Sequence, residues 1–548
     1  MEETPMAPSG GVPSAEVFDA VVIGSGINAL VAAARLARGG WRVAVCERED
    51  RPGGAVHTSR EVFPGYTVEL LSSWHPLFVG GPAYAALAGE LARRGVVYRN
   101  TSRPTGVACR DGAAVLATDP DALAAALASV GDAENWSAMM TEFGGKIDLA
   151  FGLLGTDFWR PGALRLGWRA LRRLGRRGLV ASGAEVLEPA RPWLERTFSS
   201  PVTRAMLAPW ALHGGLGPDD AASAFIIKVI AAAVTTGGMP VPEGGGVRLV
   251  EALAGIVTDA GGELLTGADV TRILVEQGRA AGVRLADGRA LRARRAVLAS
   301  VTPRALYEDL LDGRAPADRL QAARAFRHGR AAMQIHLALD EPPRWKDPAL
   351  EDVALVHVLD DLDSLSASVN AAWRGLLPER PTIAVGQPAT VDPGRVPEGK
   401  GLLWLQLQEL PRQVRGDAAG VIDPGDGTWT PRLRDAYADR ILGLLRPHIT
   451  NLDSALADRL VLGPAELEEM NVNLVGGDPY GGDCRIDQYV LWRPLSSGTG
   501  HATGVPGLWH IGASTHPGPG LGGGSGFLVA ERLLRARRGR VKLDAAGR

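Results

Sequence analysis

The apolar positions near the start of the chain form a short, dense block. Residues 18–23, FDAVVI, predict a buried strand. A glycine-rich turn follows, then a helix from about Asn28 to Arg38 that Gly39 and Gly40 end. A second apolar stretch, Trp41 to Glu47, completes a β-α-β unit, which predicts a parallel pair with a right-handed crossover. Residues from about 120 to 235 are rich in Ala and Leu and predict helices. A new section opens with GGMPVPEGGGVRLVEAL at Gly237 and runs as a helix to Gly261-Gly262. Short strands are predicted at Val270–Val275, Gly282–Leu285 and Ala296–Ala299, with a turn at Asp287-Gly288. Strands and helices mix from about 305 to 495, and Gly507–Leu534 reads as strand, glycine-rich loop and helix. No internal repeat is evident.

A chain of 548 residues is too long for one simple core and implies two or three lobes. Its formal charge of −2 gives no reason to expect nucleic acid as a partner. Cys46, Cys109 and Cys484 are scattered, with no CxxC pair, so neither a disulfide framework nor a structural metal is expected. Cys46 falls inside an apolar strand and reads as a packing residue. That usage fits a reducing, cytoplasmic setting. Residues 1–16 read as a flexible leader without the apolar core of a signal peptide. The most apolar stretch, Ala221 to Val234, is interrupted by Lys228 and falls short of the roughly 20 residues a membrane span needs.

Candidate chemistry begins at Gly24-Ser25-Gly26-Ile27-Asn28-Ala29, a GxGxxA placed between strand and helix. The first glycine permits a tight turn, the second lets backbone approach a pyrophosphate, and Ala29 lets helix and strand pack closely. The helix N-terminus adds unpaired N–H groups and a dipole contribution of about 0.3–1 kcal/mol. Glu47 ends the second strand, where an acid can accept both ribose hydroxyls and would repel a 2′-phosphate. Next comes Arg48-Glu49-Asp50-Arg51-Pro52-Gly53-Gly54-Ala55-Val56, whose two glycines allow backbone to lie against a cofactor. Late in the chain, Gly512-Ala513-Ser514 and Gly520-Leu521-Gly522 belong to a glycine-rich loop between a buried strand and an apolar helix. So many glycines make sense where backbone must touch a flat ligand.

These stretches together, FDAVVIGSGINALVAA, VCEREDRPGGAV, GGMPVPEGGGVRLVEAL and GLWHIGASTHPGPGLGGGSGF, resemble the phytoene desaturase-like flavoproteins, which include carotenoid desaturases and retinol saturase. Within that family they are most similar to the branch of the pyridine nucleotide-disulphide oxidoreductase domain-containing protein 2. WHPLF near residue 74 and LGPAELEEMNVNLVGGDPYGGDCRIDQYVLWRP near residue 462 extend the likeness, which runs from about 17 to 535. The resemblance implies an α/β, Rossmann-like two-dinucleotide-binding-domain flavoprotein fold with an inserted α+β substrate domain. The FAD domain would comprise 17–75, 237–304 and 500–535, the substrate domain 76–236 and 305–499, and a basic tail 536–548. It implies noncovalent FAD and desaturation or related redox chemistry on a small, mostly apolar substrate. Oxygen or a quinone would be the electron acceptor. By position, Gly24, Ser25, Gly26, Asn28, Ala29, Glu47, Arg48, Gly53, Gly54, Ala55 and Val56 fall in the cofactor site. The later cofactor positions are Gly512, Ala513, Ser514, Gly520, Leu521 and Gly522, and Val270 would meet the adenine side through its backbone. One departure is that no acid follows Gly512 to hold the ribityl chain, which leaves Ser514 as the substitute.

For proton work beside the flavin the candidates are His75, His516 and His213, with His336 and His510 behind them; a structural role is the alternative for each. The resemblance would bring the Ser72–Pro76 segment near the flavin ring. Arg160, Arg165, Arg169, Arg172, Arg173, Arg176 and Arg177, interleaved with Leu and Trp, predict a basic amphipathic helix. Such a helix suits peripheral contact with an anionic membrane, or its arginines pair with local acids. Two other functions compete: an oxygen-using amine or amino-acid oxidase, and a flavin-bound isomerase or binding protein without net redox turnover.

Overall fold

A computed structural model describes residues 16–159, 161–498 and 500–546, with residues 154 and 537–546 as backbone only. The stretch 1–15 of the expected leader, Arg160, and the side chains of most of the expected basic tail lie outside the described residues.

The first strand, Glu16–Ile23, lies at the centre of a seven-stranded sheet. Its partners are parallel: Val22 stands opposite Val45 of Val43–Cys46 on one side and Leu298 of Ala290–Ala299 on the other. Beyond these lie Glu263–Leu265 and the antiparallel strands Arg279–Leu285 and Val270–Glu276, while Leu508–His510 adds in parallel to Ala290–Ala299. Both faces of the central strands are covered, which is why they read as unbroken apolar runs rather than alternating ones. On one face Ala20 and Val22 pack with the helices Ile27–Arg38 and Val247–Asp259. On the other, Phe18, Val21 and Cys46 pack with Val283, Leu306 and Tyr307. Burial pushes the Cys46 thiol up to about 12, so it packs rather than reacts.

Two sequence-based strand limits shift. The second strand starts at Val43 because the Trp41 amide donates to Leu36 O at 3.2 Å, closing the preceding helix instead of joining the ladder. The strand expected at Ala296–Ala299 begins at Ala290, since arginines on its exposed positions hide the alternation.

A second seven-stranded sheet runs in the order Leu456–Leu462, Ala331–Leu339, Gly401–Leu410, Ile383–Gly386, Leu355–Val358, Thr105–Cys109, Gly112–Leu116. Helices from Pro120–Ser129 to Ser223–Gly237 make up the stretch expected to be helical. Ala190–Thr197, Pro201–Leu207 and Ser223–Gly237 pack on one face of this sheet, and Pro431–Leu445 covers the other.

A buried ionic group ties distant segments together. Arg395 is fully buried and reaches Asp392 at 3.1 Å, Glu69 at 3.4 Å and the carbonyl of Pro242 at 2.8 Å. Glu69 in turn accepts from the Gly246 amide at 2.7 Å, and Asp392 from the Gly244 amide at 2.9 Å. Burial holds the Glu69 carboxyl above its ordinary range, with Arg395 pulling it back down.

Candidate active site

The first turn is built to bring backbone close. The Gly24 amide donates to Cys46 O at 2.7 Å, and Gly24 has φ +85°, a conformation that favours glycine. Gly26 precedes the helix with extended backbone, and a Cβ built on it meets no protein atom within 4 Å. The space it would enter is a cavity of about 650 Å³ lined by this turn. Unpaired amides of the first helical turn add to it a surface suited to an anion.

Ser25 is a strut. Its amide and hydroxyl both donate to Glu47 Oε2, at 2.9 and 2.5 Å, while its Oγ accepts from the Gly53 amide at 3.1 Å. Glu47 Oε1 accepts from the Glu49 amide at 3.0 Å. A carboxylate offers about four acceptor positions. Three are taken, which leaves one, not the two expected for a pair of ribose hydroxyls. Gly54 lies with a would-be Cβ 3.0 Å from Gly26 Cα, and Gly26 and Gly53 pair as a bridge, so the two glycine motifs touch.

The late loop closes over the same cavity. Gly512 has φ +106° and donates to Ser525 Oγ at 3.1 Å, and Thr515 bonds both Ser525 Oγ and Gly512 O. Arg493, fully buried, donates to Tyr480 O at 2.6 Å and Ala513 O at 2.8 Å. Asp478, also buried, accepts from the amides of Gly329, Tyr480 and Gly482. The helix Gly524–Ala546 docks so tightly that a Cβ on Gly526 would lie 1.8 Å from Asn28 O.

Of the residues expected at the cofactor, Gly24, Ser25, Gly26, Asn28, Glu47, Arg48, Gly53, Gly54, Ala55, Val56, Val270, Gly512, Ala513, Ser514, Gly520 and Leu521 line this one cavity. Two do not. Ala29 is fully buried in the helix packing, and Gly522 lies against the backbone of Leu77.

The histidines separate more sharply. His75, the first choice, does not line the cavity, although Ser73, Trp74 and Pro76 do. It precedes the helical turn Pro76–Val79, and its ring is turned to Tyr98, with Nδ1 3.1 Å from the hydroxyl. Burial, and then Arg395, push it down to about 3, so it stays neutral and structural. His516 is likewise absent from the lining and meets the Phe158 ring edge-on at 5.4 Å. His336 and His510 donate through Nε2 to Leu70 O and Val301 O. His213 alone of these five lines the cavity. Its Nε2 lies 2.9 Å from His357 Nε2, the Trp210 ring stacks at 4.7 Å, and burial pushes His213 down to about 4.

Around His213 the cavity continues past the residues that motif reading could reach. Trp74, Trp210 and Trp404 line it with Gln334, Gln406 and Gln408. Every carboxylate and guanidinium in the lining comes from residues 47–51, 269 and 309. The segments 210–239, 332–334, 355 and 404–408 contribute His213 as their sole titratable group. The cavity therefore has a polar, glycine-lined part suited to a dinucleotide and a neutral, aromatic part. The cradle at Gly26, the Glu47 carboxylate and the glycine loop at 512 all fit such a cofactor.

A model of the flavin-containing amine oxidoreductases matches residues 30–406. The chain belongs to that family. It is an FAD-dependent oxidoreductase, and its cofactor is held noncovalently. Among curated relatives, the mouse (Mus musculus) pyridine nucleotide-disulfide oxidoreductase domain-containing protein 2 is 27% identical, over 94% of this chain and 93% of its own. A limonene dehydrogenase polypeptide of Castellaniella defragrans is 25% identical over 94% of each chain. The lycopene-forming phytoene desaturase of a Paracoccus species is 26% identical over 94% of this chain and 97% of its own. Among solved structures, an oxidoreductase of Methanosarcina mazei superposes with a TM-score of 0.60 at 17% identity, covering 94% of this chain and 99% of that one, and so shares the fold. The resemblance to the phytoene desaturase-like proteins holds, and so does the expected flavoprotein architecture.

Proposed function

We propose that this flavoprotein is a dehydrogenase or desaturase that removes hydride from a C–H bond of a mostly apolar small molecule. The observation that carries it is the neutral, tryptophan-lined part of the cavity, continuous with the glycine-lined part. Relatives whose names are limonene dehydrogenase and phytoene desaturase support it. Bound FAD supplies a hydride acceptor at N5. In this reading Gly26, Gly53 and Gly54 give the dinucleotide close approach to backbone, Glu47 accepts one ribose hydroxyl, and Gly512–Ser514 and Gly520-Leu521 lie along the flavin. Residues 17–75, 237–304 and 500–535 form the FAD domain, and 76–236 with 305–499 the substrate domain. The walls at Trp74, Trp210 and Trp404 exclude water and orient the apolar substrate.

An amine oxidase reading is weaker here because no carboxylate of segments 210–239, 332–334, 355 or 404–408 faces the cavity to receive an ammonium group. Anaerobic addition of terpene hydrocarbons to the yellow holoprotein is expected to bleach the flavin. Bleaching by amines alone, with peroxide release in air, would reverse the choice, and no bleaching by either class would favour the isomerase or binding-protein reading.

We further propose that the substrate is loaded from an anionic membrane surface. The helix Pro161–Leu187 has no buried residue among those described, and Leu164 and Trp168 are 78% and 61% exposed. Arg169 and Arg173 pair with Asp148, while Arg165, Arg172, Arg176 and Arg177 face no carboxylate at ion-pair distance among the described residues. The helix packs on Ser223–Gly237, which lends Ile230, Ala233 and Val234 to the cavity. No helix of the described residues is long and apolar enough to cross a membrane, so contact would be peripheral. Flotation with phosphatidylglycerol vesicles is the measurement. Arg165, Arg172, Arg176 and Arg177 changed together to Glu should lose at least about tenfold in binding, given about 1 kcal/mol per basic residue at such a surface. Unchanged flotation would discard the membrane reading.

A further inference from the structure

The His213–His357 pair has an internal asymmetry that fixes its protons. The two Nε2 atoms are 2.9 Å apart, so one ring donates and the other accepts. His357 is fully buried, and its Nδ1 has no hydrogen-bond partner. If His213 were the donor, His357 would carry its proton on that Nδ1. A buried N–H without an acceptor costs about 1–3 kcal/mol and is rare in folded proteins. A buried lone pair is the cheaper deficit. His357 therefore donates from Nε2, and His213 carries its own proton on Nδ1. Both rings are neutral near pH 7, because burial pushes His213 down to about 4 and His357 well below its ordinary value. His213 Nδ1 is neither bonded nor among the buried orphan atoms, and the residue lines the cavity.

The sheet wall of the cavity is polar in one place only. Gln334 and Gln406 stand directly opposite each other on neighbouring strands, with Gln408 one step along the same face. Gln334 is 97% buried, and its amide oxygen has no partner. Three amides on otherwise apolar strands, facing a chamber with no charge to solvate, are costly unless a ligand uses them.

We propose that the substrate carries a neutral oxygen, best met by a carbonyl, and that the His213 Nδ1–H donates a hydrogen bond to it while the glutamine amides border it. This rests on the reading of the cavity as the substrate chamber. It makes His213 a positioning and specificity residue rather than a base, held in one tautomer by His357.

The test uses two probes of one carbon skeleton, the ketone carvone and the hydrocarbon limonene, titrated into the anaerobic holoprotein and followed by perturbation of the flavin spectrum. Carvone is expected to bind about tenfold more tightly, the worth of one good hydrogen bond to an otherwise unpaired donor. His213→Leu should erase that preference, and His213→Asn, which keeps a donor near the Nδ1 position, should restore part of it. An unaltered flavin spectrum in the free variants shows that cofactor and fold are intact. Equal affinity for the two probes, binding of neither, or a preference that survives His213→Leu overturns the proposal. The enzyme reading is tested separately, by flavin bleaching in the wild-type protein, and can stand when this one falls.

Discussion

Gly26→Val should purify folded and colourless. The backbone at Gly26 is extended, with φ −60° and ψ 165°, which valine adopts without strain. No protein atom lies within 4 Å of the added Cβ, so the fold loses nothing. The branched side chain instead fills the space between the first helical turn and the cavity. Overfilling a packed site costs about 1–3 kcal/mol where neighbours can give way. Here the neighbours are the backbones of Gly53 and Gly54, which cannot. FAD affinity should fall on the order of a hundredfold or more. The check is the visible spectrum of the purified variant beside thermal unfolding of both apoproteins. Equal melting temperatures with loss of the flavin bands are the expected pair of results. A yellow Gly26→Val protein would remove Gly26 from the cofactor site.

Arg395→Leu should be among the most destabilising single changes in the molecule. It strips the cation from Glu69 and Asp392, which are only 3% and 5% exposed. Breaking a buried ion pair by removing one partner costs about 3–5 kcal/mol, because the remaining charge is left without compensation. The pH dependence has a defined sign. Glu69 already titrates above its ordinary value of 4.5 through burial, and Arg395 is the main influence lowering it. Without Arg395 the folded carboxyl moves higher still. A carboxyl with a raised folded pKa favours the fold below its unfolded pKa and loses that contribution as pH rises through the folded value. The melting-temperature gap between variant and wild type should therefore be widest at pH 8 and narrow towards pH 5. Adding Glu69→Gln to the variant should recover part of the loss at pH 8. A gap that does not change with pH would mean that the loss is one of packing alone.

The cofactor end was legible because its demands are local. A tight turn, a close backbone approach and a helix start each ask for a residue type at a fixed place, and Gly24, Gly26, Glu47 and Gly512 stand there in the sequence itself. His75 misled for the opposite reason. Its neighbours Ser73, Trp74 and Pro76 do reach the cavity, but the residue before a helical turn directs its own ring elsewhere, here to Tyr98. The substrate end was not legible as a site. Gln334, Gln406 and Gln408 lie in strands whose other positions are apolar, and only pairing across the sheet shows that they share a face. The one available signal was their incongruity, three amides inside the runs AAMQIHLAL and GLLWLQLQEL. His357 and Arg493 act on partners 144 and 20 residues away, and no spacing rule connects either pair.

The strand Leu508–His510, the loop at Gly512 and the helix contact at Gly526 have a consequence for biosynthesis. They complete a site whose first half, at Gly24 and Gly26, emerges from the ribosome almost a whole chain earlier. At about 5–20 residues per second, the early strands wait roughly half a minute to two minutes for that closing segment. During that interval the nascent chain has only half of a cofactor site, and the apolar edge of Ala290–Ala299 has no Leu508–His510 to pair with. Capture of FAD is thus a late event in the life of each molecule, and the span before it is when the chain most needs protection from its neighbours.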